Sequence, residues 1–173
     1  MNKHGKGKRG VWRKLHLVVD ADTHEVICAD LSLNNVTDAE AFPALIRQTH
    51  RNIRVASADG AYDTKRCHDE LRRKKIKALI PPRTHAGYWP TEYVDRNQAV
   101  ARQRLMESNA HWKWNTAYNR RSVAETAMYR VKQLFGGHLT LRDYDAQVGK
   151  TMAIIRALNK MTRGGMPESV RIV

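Results

Sequence analysis

Cysteine is nearly missing from this sequence, with only Cys28 and Cys67 among 173 residues. Two thiols do not make a disulfide framework. His68 is directly adjacent to Cys67, which is not the spacing of a zinc site. Both read as buried, inert thiols in a reducing cytoplasm. Long apolar runs are missing too: none approaches the roughly 20 residues of a membrane span. The opening MNKHGKGKRG lacks the apolar core of a secretory signal, and no segment reads as a basic membrane-surface helix with a clean apolar face. There is no internal repeat and no low-complexity tract. Acid is scarce as well, with 17 Asp+Glu against 31 Lys+Arg, for a formal charge of +14. A positive excess of that size draws polyanions, and nucleic acid is the commonest polyanion in a cell.

What is present is a chain long enough for a single domain with a real core. Its apolar share of 42% is well above that of a disordered segment. Residues 1–14 carry Lys3, Lys6, Lys8, Arg9, Arg13 and Lys14 and no acid, which suits contact with phosphates and equally suits a solvated charge run. From Val11 the pattern turns to strand chemistry. Leu15, Leu17 and Val19 alternate with His16 and Val18 up to the turn-like Asp20-Ala21-Asp22-Thr23, and Glu25–Leu33 reads as the returning strand of a hairpin. Thr37 and Glu40 form a capping box for a helix to about His50. Ile53–Ala58 is a short strand, Thr64 to about Lys75 a helix, and Ile76–Ile80 a strand stopped by Pro81-Pro82. That order predicts a mixed α/β sheet flanked by helices. Residues 83–117, with three tryptophans (Trp89, Trp112, Trp114) and a polar helical patch at about 91–108, read as an irregular insertion. Two helices close the chain, about Arg120–Phe135 and about Tyr144–Met161, the first stopped by Gly136-Gly137.

Two features carry chemistry. At about 100° per residue, with Arg121 as origin, Lys132 falls near 20°, Glu125 near 40° and Tyr118 near 60°. The apolar Val123, Ala127, Val131, Leu134 and Phe135 fall at roughly 200° to 320°. The core takes the apolar side, so the polar stripe faces solvent or a partner. By pattern alone it is an ordinary i,i+4 ion-pair row. The second feature is Asp59, which ends a β-branched strand and precedes Gly60. It reads as a plain Asp-Gly turn, or as a carboxylate at the end of a strand, where open α/β sheets bind ligands. A carboxylate there and another on a flanking helix are what two-metal phosphoryl transfer requires, because Mg²⁺ prefers oxygen ligands.

Tyr118, Arg121, Glu125 and Lys132 together fit the Y-R-E-K signature of bacterial insertion-sequence transposases at every spacing. The segment Ala58-Asp59-Gly60-Ala61-Tyr62-Asp63 resembles the block around the second catalytic Asp of the same family. The chain therefore resembles a DDE transposase of the insertion sequence five group, over nearly its whole length. The resemblance implies one catalytic domain over residues 1–173 with a ribonuclease H-like fold. It further implies metal-dependent cleavage at transposon ends and strand transfer into target DNA. Asp59 and Glu125 would be metal-binding acids for Mg²⁺ or Mn²⁺. Tyr118, Arg121 and Lys132 would contact DNA, with Lys6, Lys8 and Arg9 adding phosphate contacts. The expected partners are transposon-end and target DNA, further copies of the chain, or full-length transposase subunits, within a bacterial cytoplasm at the nucleoid. The family's first acid sits on the opening strand of the sheet. No strand is expected before residue 11, so the fold is expected to lack its first strand and that Asp, and to be inactive alone. Asp20, Asp22 and Asp30 match it only by count. Two other readings stay open: a non-catalytic DNA-binding protein that modulates transposition, and an RNA-binding protein that stacks bases on the tryptophans.

Overall fold

The computed structural model describes residues 12–136 and 139–165. Strand β1 (Arg13–Val19) and strand β2 (Val26–Leu33) form the expected antiparallel hairpin, with Leu15 opposite Leu31 and Leu17 opposite Ala29. Its turn is shaped by Asp20, whose Oδ1 accepts from the amides of Asp22 (2.9 Å) and Thr23 (3.2 Å). Strict alternation sends Leu15, Leu17 and Val19 to one face. There they meet Val26, Ala29, Ala127, Val131, Ile155 and Leu158.

Helix α1 (Asp38–Gln48) begins at the capping box: Thr37 accepts from the Glu40 amide, and Glu40 accepts from the Thr37 amide at 2.7 Å. Pro43 lies inside this helix and has no N–H for the carbonyl of Ala39, four residues back. The thiol of Cys67 supplies the missing donor, with Sγ 3.5 Å from that carbonyl oxygen. Cys67 is fully buried, and burial raises its pKa. A buried thiol used as a local hydrogen-bond donor is an inert one. Cys28, by contrast, is only half-buried on β2.

Strand β3 (Val55–Ser57) pairs in parallel with β4 (Lys77–Leu79), joined by helix α2 (Lys65–Arg73) with Thr64 as its N-cap. Phe42, Ile46, Ala58, Cys67, Leu71, Ile76, Ala78 and Ile80 make the core around this pair. Here the fold departs from the expected single sheet. Among the described residues the two hairpin strands and the two parallel strands are separate two-stranded sheets, with no ladder between them. The helices join them instead, since α1 packs on the hairpin and also sends Phe42 and Ile46 into the core of the second sheet. Both parallel strands are three residues long, and Val55 is 46% exposed. A parallel strand is normally covered on both faces.

In the segment expected as an irregular insertion with a polar helical patch at about 91–108, α3 (Val94–Leu105) lies within that patch and a further short helix, α4 (Ala110–Asn115), follows it. The segment is docked rather than appended. Asp95 accepts from the Ala78 amide of β4 at 3.0 Å, and Ala99, Trp112 and Tyr118 pack with Leu79. Buried Ala99 and Val100 give α3 a narrow apolar seam among its polar residues. Helices α5 (Ser122–Phe135) and α6 (Tyr144–Arg163) then cover the far face of the hairpin. Gly136 ends α5 in the left-handed conformation, at φ 63°. The Asn159 amide of α6 bonds both the N–H and the carbonyl of Val26, each at 2.8 Å.

Candidate functional site

Strand β3 runs out through Ala58 to Asp59, which caps a 3₁₀ turn at Gly60–Tyr62 by accepting from the Ala61 amide at 2.9 Å. Asp59 is exposed. Because β3 and β4 are parallel, the chain leaving β4 emerges beside it and brings Pro81, Pro82 and Arg83. The Arg83 guanidinium lies over the Asp59 turn, with Nε 3.4 Å from the Gly60 carbonyl oxygen and Nη2 3.4 Å from that of Ala61.

Beneath the turn is a buried ionic cluster. Asp63, with its side chain 1% exposed, takes Arg96 of α3 in a two-pronged pair at 2.7 and 3.2 Å. It also accepts from the Arg83 amide at 3.2 Å and has His68 Nε2 3.3 Å away. Burial opposes the charge on Asp63, but the bonds from His68, Arg96 and Arg83 outweigh it and hold the pKa at about 2. Arg96 in turn lies over the Trp89 ring, 3.6 Å from its centroid. Trp89 and Trp112 are packing residues, whereas Trp114 is 79% exposed.

The second arm arrives from α4. Ala117 takes the left-handed conformation (φ 54°), uncommon for a residue with a Cβ, and starts a 3₁₀ turn at Tyr118–Arg121. Tyr118 and Arg121 thus precede helix α5, which begins at Ser122. The tighter 3₁₀ winding changes the phase. Tyr118 does not share the exposed stripe expected of it: it is buried at 7% exposure against Trp112, ring centroids 5.6 Å apart. Arg121 and Glu125 do form the expected pair, with Nη2 2.6 Å from Oε1 and Glu125 largely exposed. Lys132 is exposed two helical turns further on. Lys6, Lys8 and Arg9 lie outside the described residues.

The two arms converge. The Tyr118 pKa is raised, first by burial, with further effects from Arg121, Asp59 and Glu125. Strand β3, which leads into Asp59, also packs against the Tyr118–Arg121 turn that leads into Glu125. Tyr62 is raised in the same way, first by burial and then by Asp38 and Asp59, with Arg121 acting against them. Sequence reasoning did not single out Arg83, Tyr62 or Asp38 for this region. A basic residue just past the strand parallel to the one that ends in Asp59 was the available signal for Arg83.

Asp59 and Glu125 are oxygen donors of the type a hard divalent ion takes. They fit in kind and fall short in number, since no group of three or more His, Cys, Asp or Glu able to hold a metal exists among the described residues. Two of the three counted substitutes are engaged elsewhere. Asp20 shapes its own turn and pairs with Arg51 at 3.5 Å, and Asp22 pairs with Arg120. Among the described residues no helix is long and apolar enough to cross a membrane. A family model described as a transposase DDE domain matches residues 1–160. No solved structure matches the chain.

Proposed function

The chain belongs to the transposase DDE-domain family and serves DNA transposition, and from that premise we propose that Asp59 and Glu125 are two of its metal-binding acids. The observation that carries this reading is that strand β3, which runs out into Asp59, packs against the Tyr118–Arg121 turn that leads into Glu125. The finer placement follows: the insertion sequence five group, with Tyr118, Arg121, Glu125 and Lys132 as its Y-R-E-K residues.

In this reading Arg121 acts in two ways. It holds the Glu125 carboxylate in place at 2.6 Å, and when DNA is bound its guanidinium turns part of its charge to the phosphate near the cut. Lys132, about 10 Å along the helix from Glu125, grips the backbone of the same strand. Tyr118 is the packed floor that fixes Arg121, whose guanidinium carbon is 5.8 Å from its ring centroid. Lys6, Lys8 and Arg9 add sequence-independent phosphate contacts. A pair of Mg²⁺ or Mn²⁺ ions, when bound, would make the attacking oxygen more nucleophilic and stabilise the leaving one.

We further read the two small sheets as parts of one ribonuclease H-like sheet in a single domain spanning residues 1–173. Its first strand and first acid are supplied by none of the described residues. The support is that, among the described residues, β1 and β3, like β2 and β4, each pair on one side only, which leaves edges for a further strand. The 173-residue polypeptide alone should then be inactive in strand transfer, and partners would be transposon-end DNA, target DNA and subunits carrying the missing strand. The measurement is end cleavage by the purified chain with Mg²⁺; detectable metal-dependent cutting overturns the incomplete site. In a version extended by a strand ending in Asp, Glu125→Ala should abolish cleavage and leave DNA binding largely intact. If binding fell and cutting persisted, Glu125 would be a structural partner of Arg121 only.

A second reading, a DNA-binding subunit that modulates transposition without cutting, is favoured by the same shortage of a third acid. A base-stacking RNA-binding role would rest on exposed Trp114, since Trp112 and Trp89 are taken up in packing.

A further inference from the structure

We propose that Arg83 is a phosphate-binding residue of this site, presented over the Asp59 turn by the buried Asp63–Arg96 pair; the inference rests on the DNA-binding reading above.

Three observations carry it. The first is placement. Arg83 leaves the carboxyl end of β4 beside the carboxyl end of β3, so its guanidinium and the Asp59 carboxylate belong to the same small turn. The bonds to the Gly60 and Ala61 carbonyls, both 3.4 Å, are at the long limit for a hydrogen bond. They orient the fork without consuming it, and Nη1 has no hydrogen bond among the described residues.

The second is charge. Three other arginines named above have carboxylate partners: Arg121 has Glu125, Arg120 has Asp22 and Arg96 has Asp63. Arg83 has no carboxylate partner among the described residues and is exposed. A planar guanidinium beside a turn meant to receive a phosphodiester is suited to two-pronged capture of phosphate oxygens.

The third is rigidity. The backbone of Arg83 is tied down where its side chain is not. Buried Pro81 and Pro82 precede it, and its own N–H is taken by Asp63 at 3.2 Å. Asp63 is locked in turn by Arg96, which reaches it from the inserted helix α3. The docked insertion thereby sets where this free cation stands relative to Asp59.

The test is fluorescence anisotropy of a labelled linear DNA duplex with the whole chain across a KCl series. Each phosphate neutralised contributes about 0.9 to the slope of log affinity against log salt. Arg83→Ala should make the slope shallower by about that amount, and Arg83→Lys, which keeps the charge, should retain it. Arg73→Ala is the control, because Glu70 already holds that guanidinium at 2.5 Å, and it should leave the slope unchanged. Circular dichroism establishes that each variant is folded; should Arg83→Ala unfold, Arg83→Gln carries the same test. An unchanged slope in the neutral variant overturns the role of Arg83 while leaving the DNA-binding reading standing. An equal loss in Arg73→Ala does the same by assigning the slope to diffuse surface charge. A wild-type chain that binds no duplex overturns both.

Discussion

Asp63 is the residue on which the site's geometry turns. A buried carboxylate with one partner removed is left charged and unsolvated, so Arg96→Met should cost about 3–5 kcal/mol in urea denaturation. The pH dependence has a definite sign. Asp63 is held at about 2 against an ordinary 3.8, so its ion network is fully formed above pH about 4. As pH falls through that point toward about 2, the unfolded chain binds a proton that the folded chain resists, and stability is lost across the window. Thermal unfolding scans of Asp63→Asn should show that acid-side loss flattened; an unaltered profile would place the acid sensitivity elsewhere. None of this was legible in the sequence. Asp63 stood out only as the end of the Asp59 block, and Arg96 as one more basic residue on a polar helix. A buried pair made across 33 positions leaves no periodic trace in a sequence.

At the scale of elements, what was legible was local. Alternation gave the β1–β2 hairpin, the Thr37/Glu40 box gave the start of α1, and Gly136 gave the end of α5. The stop can be tested directly: at φ 63°, Gly136→Ala should cost about 1 kcal/mol, seen as a lower thermal midpoint. Among the described residues beyond its chain neighbours, nothing stands within 4 Å of the added Cβ, so a larger loss would need another source. One reading failed for a physical reason. Tyr118 was placed on an exposed stripe by extending the period of α5 backwards, past the point where Ala117 turns the chain and a 3₁₀ turn takes over. The helical patch at about 91–108 was legible, but its docking through Ala99, Val100 and Trp112 was not, because that seam is short and interrupted. The Arg121–Glu125 pair was foreseen because an i,i+4 contact depends on nothing outside its helix turn. Their convergence with Asp59 depends on the whole chain.

At the scale of the molecule, composition foretold the positive field but not the division of the strands. Which edges pair is a non-local choice, and here the choice leaves β1–β2 and β3–β4 apart, joined through α1 and the surrounding helices. The short, partly exposed β3 should exchange its amide hydrogens well before the centre of β1 and β2, measured by mass spectrometry under native conditions. Equal protection in both sheets would contradict that. The separation also bears on how the protein comes apart. Packed helices couple the two cores more weakly than a shared hydrogen-bonded ladder would, so each sheet with its covering helices can open as its own foldon. Denaturant unfolding of the chain alone should then be broad, with probes in the two halves reporting different midpoints. A strand bound along the free edges of β1 and β3 would fuse the two foldons into one cooperative unit. Its signature would be a steeper transition, an increase in m and not merely in midpoint, because more surface would then be exposed in a single step.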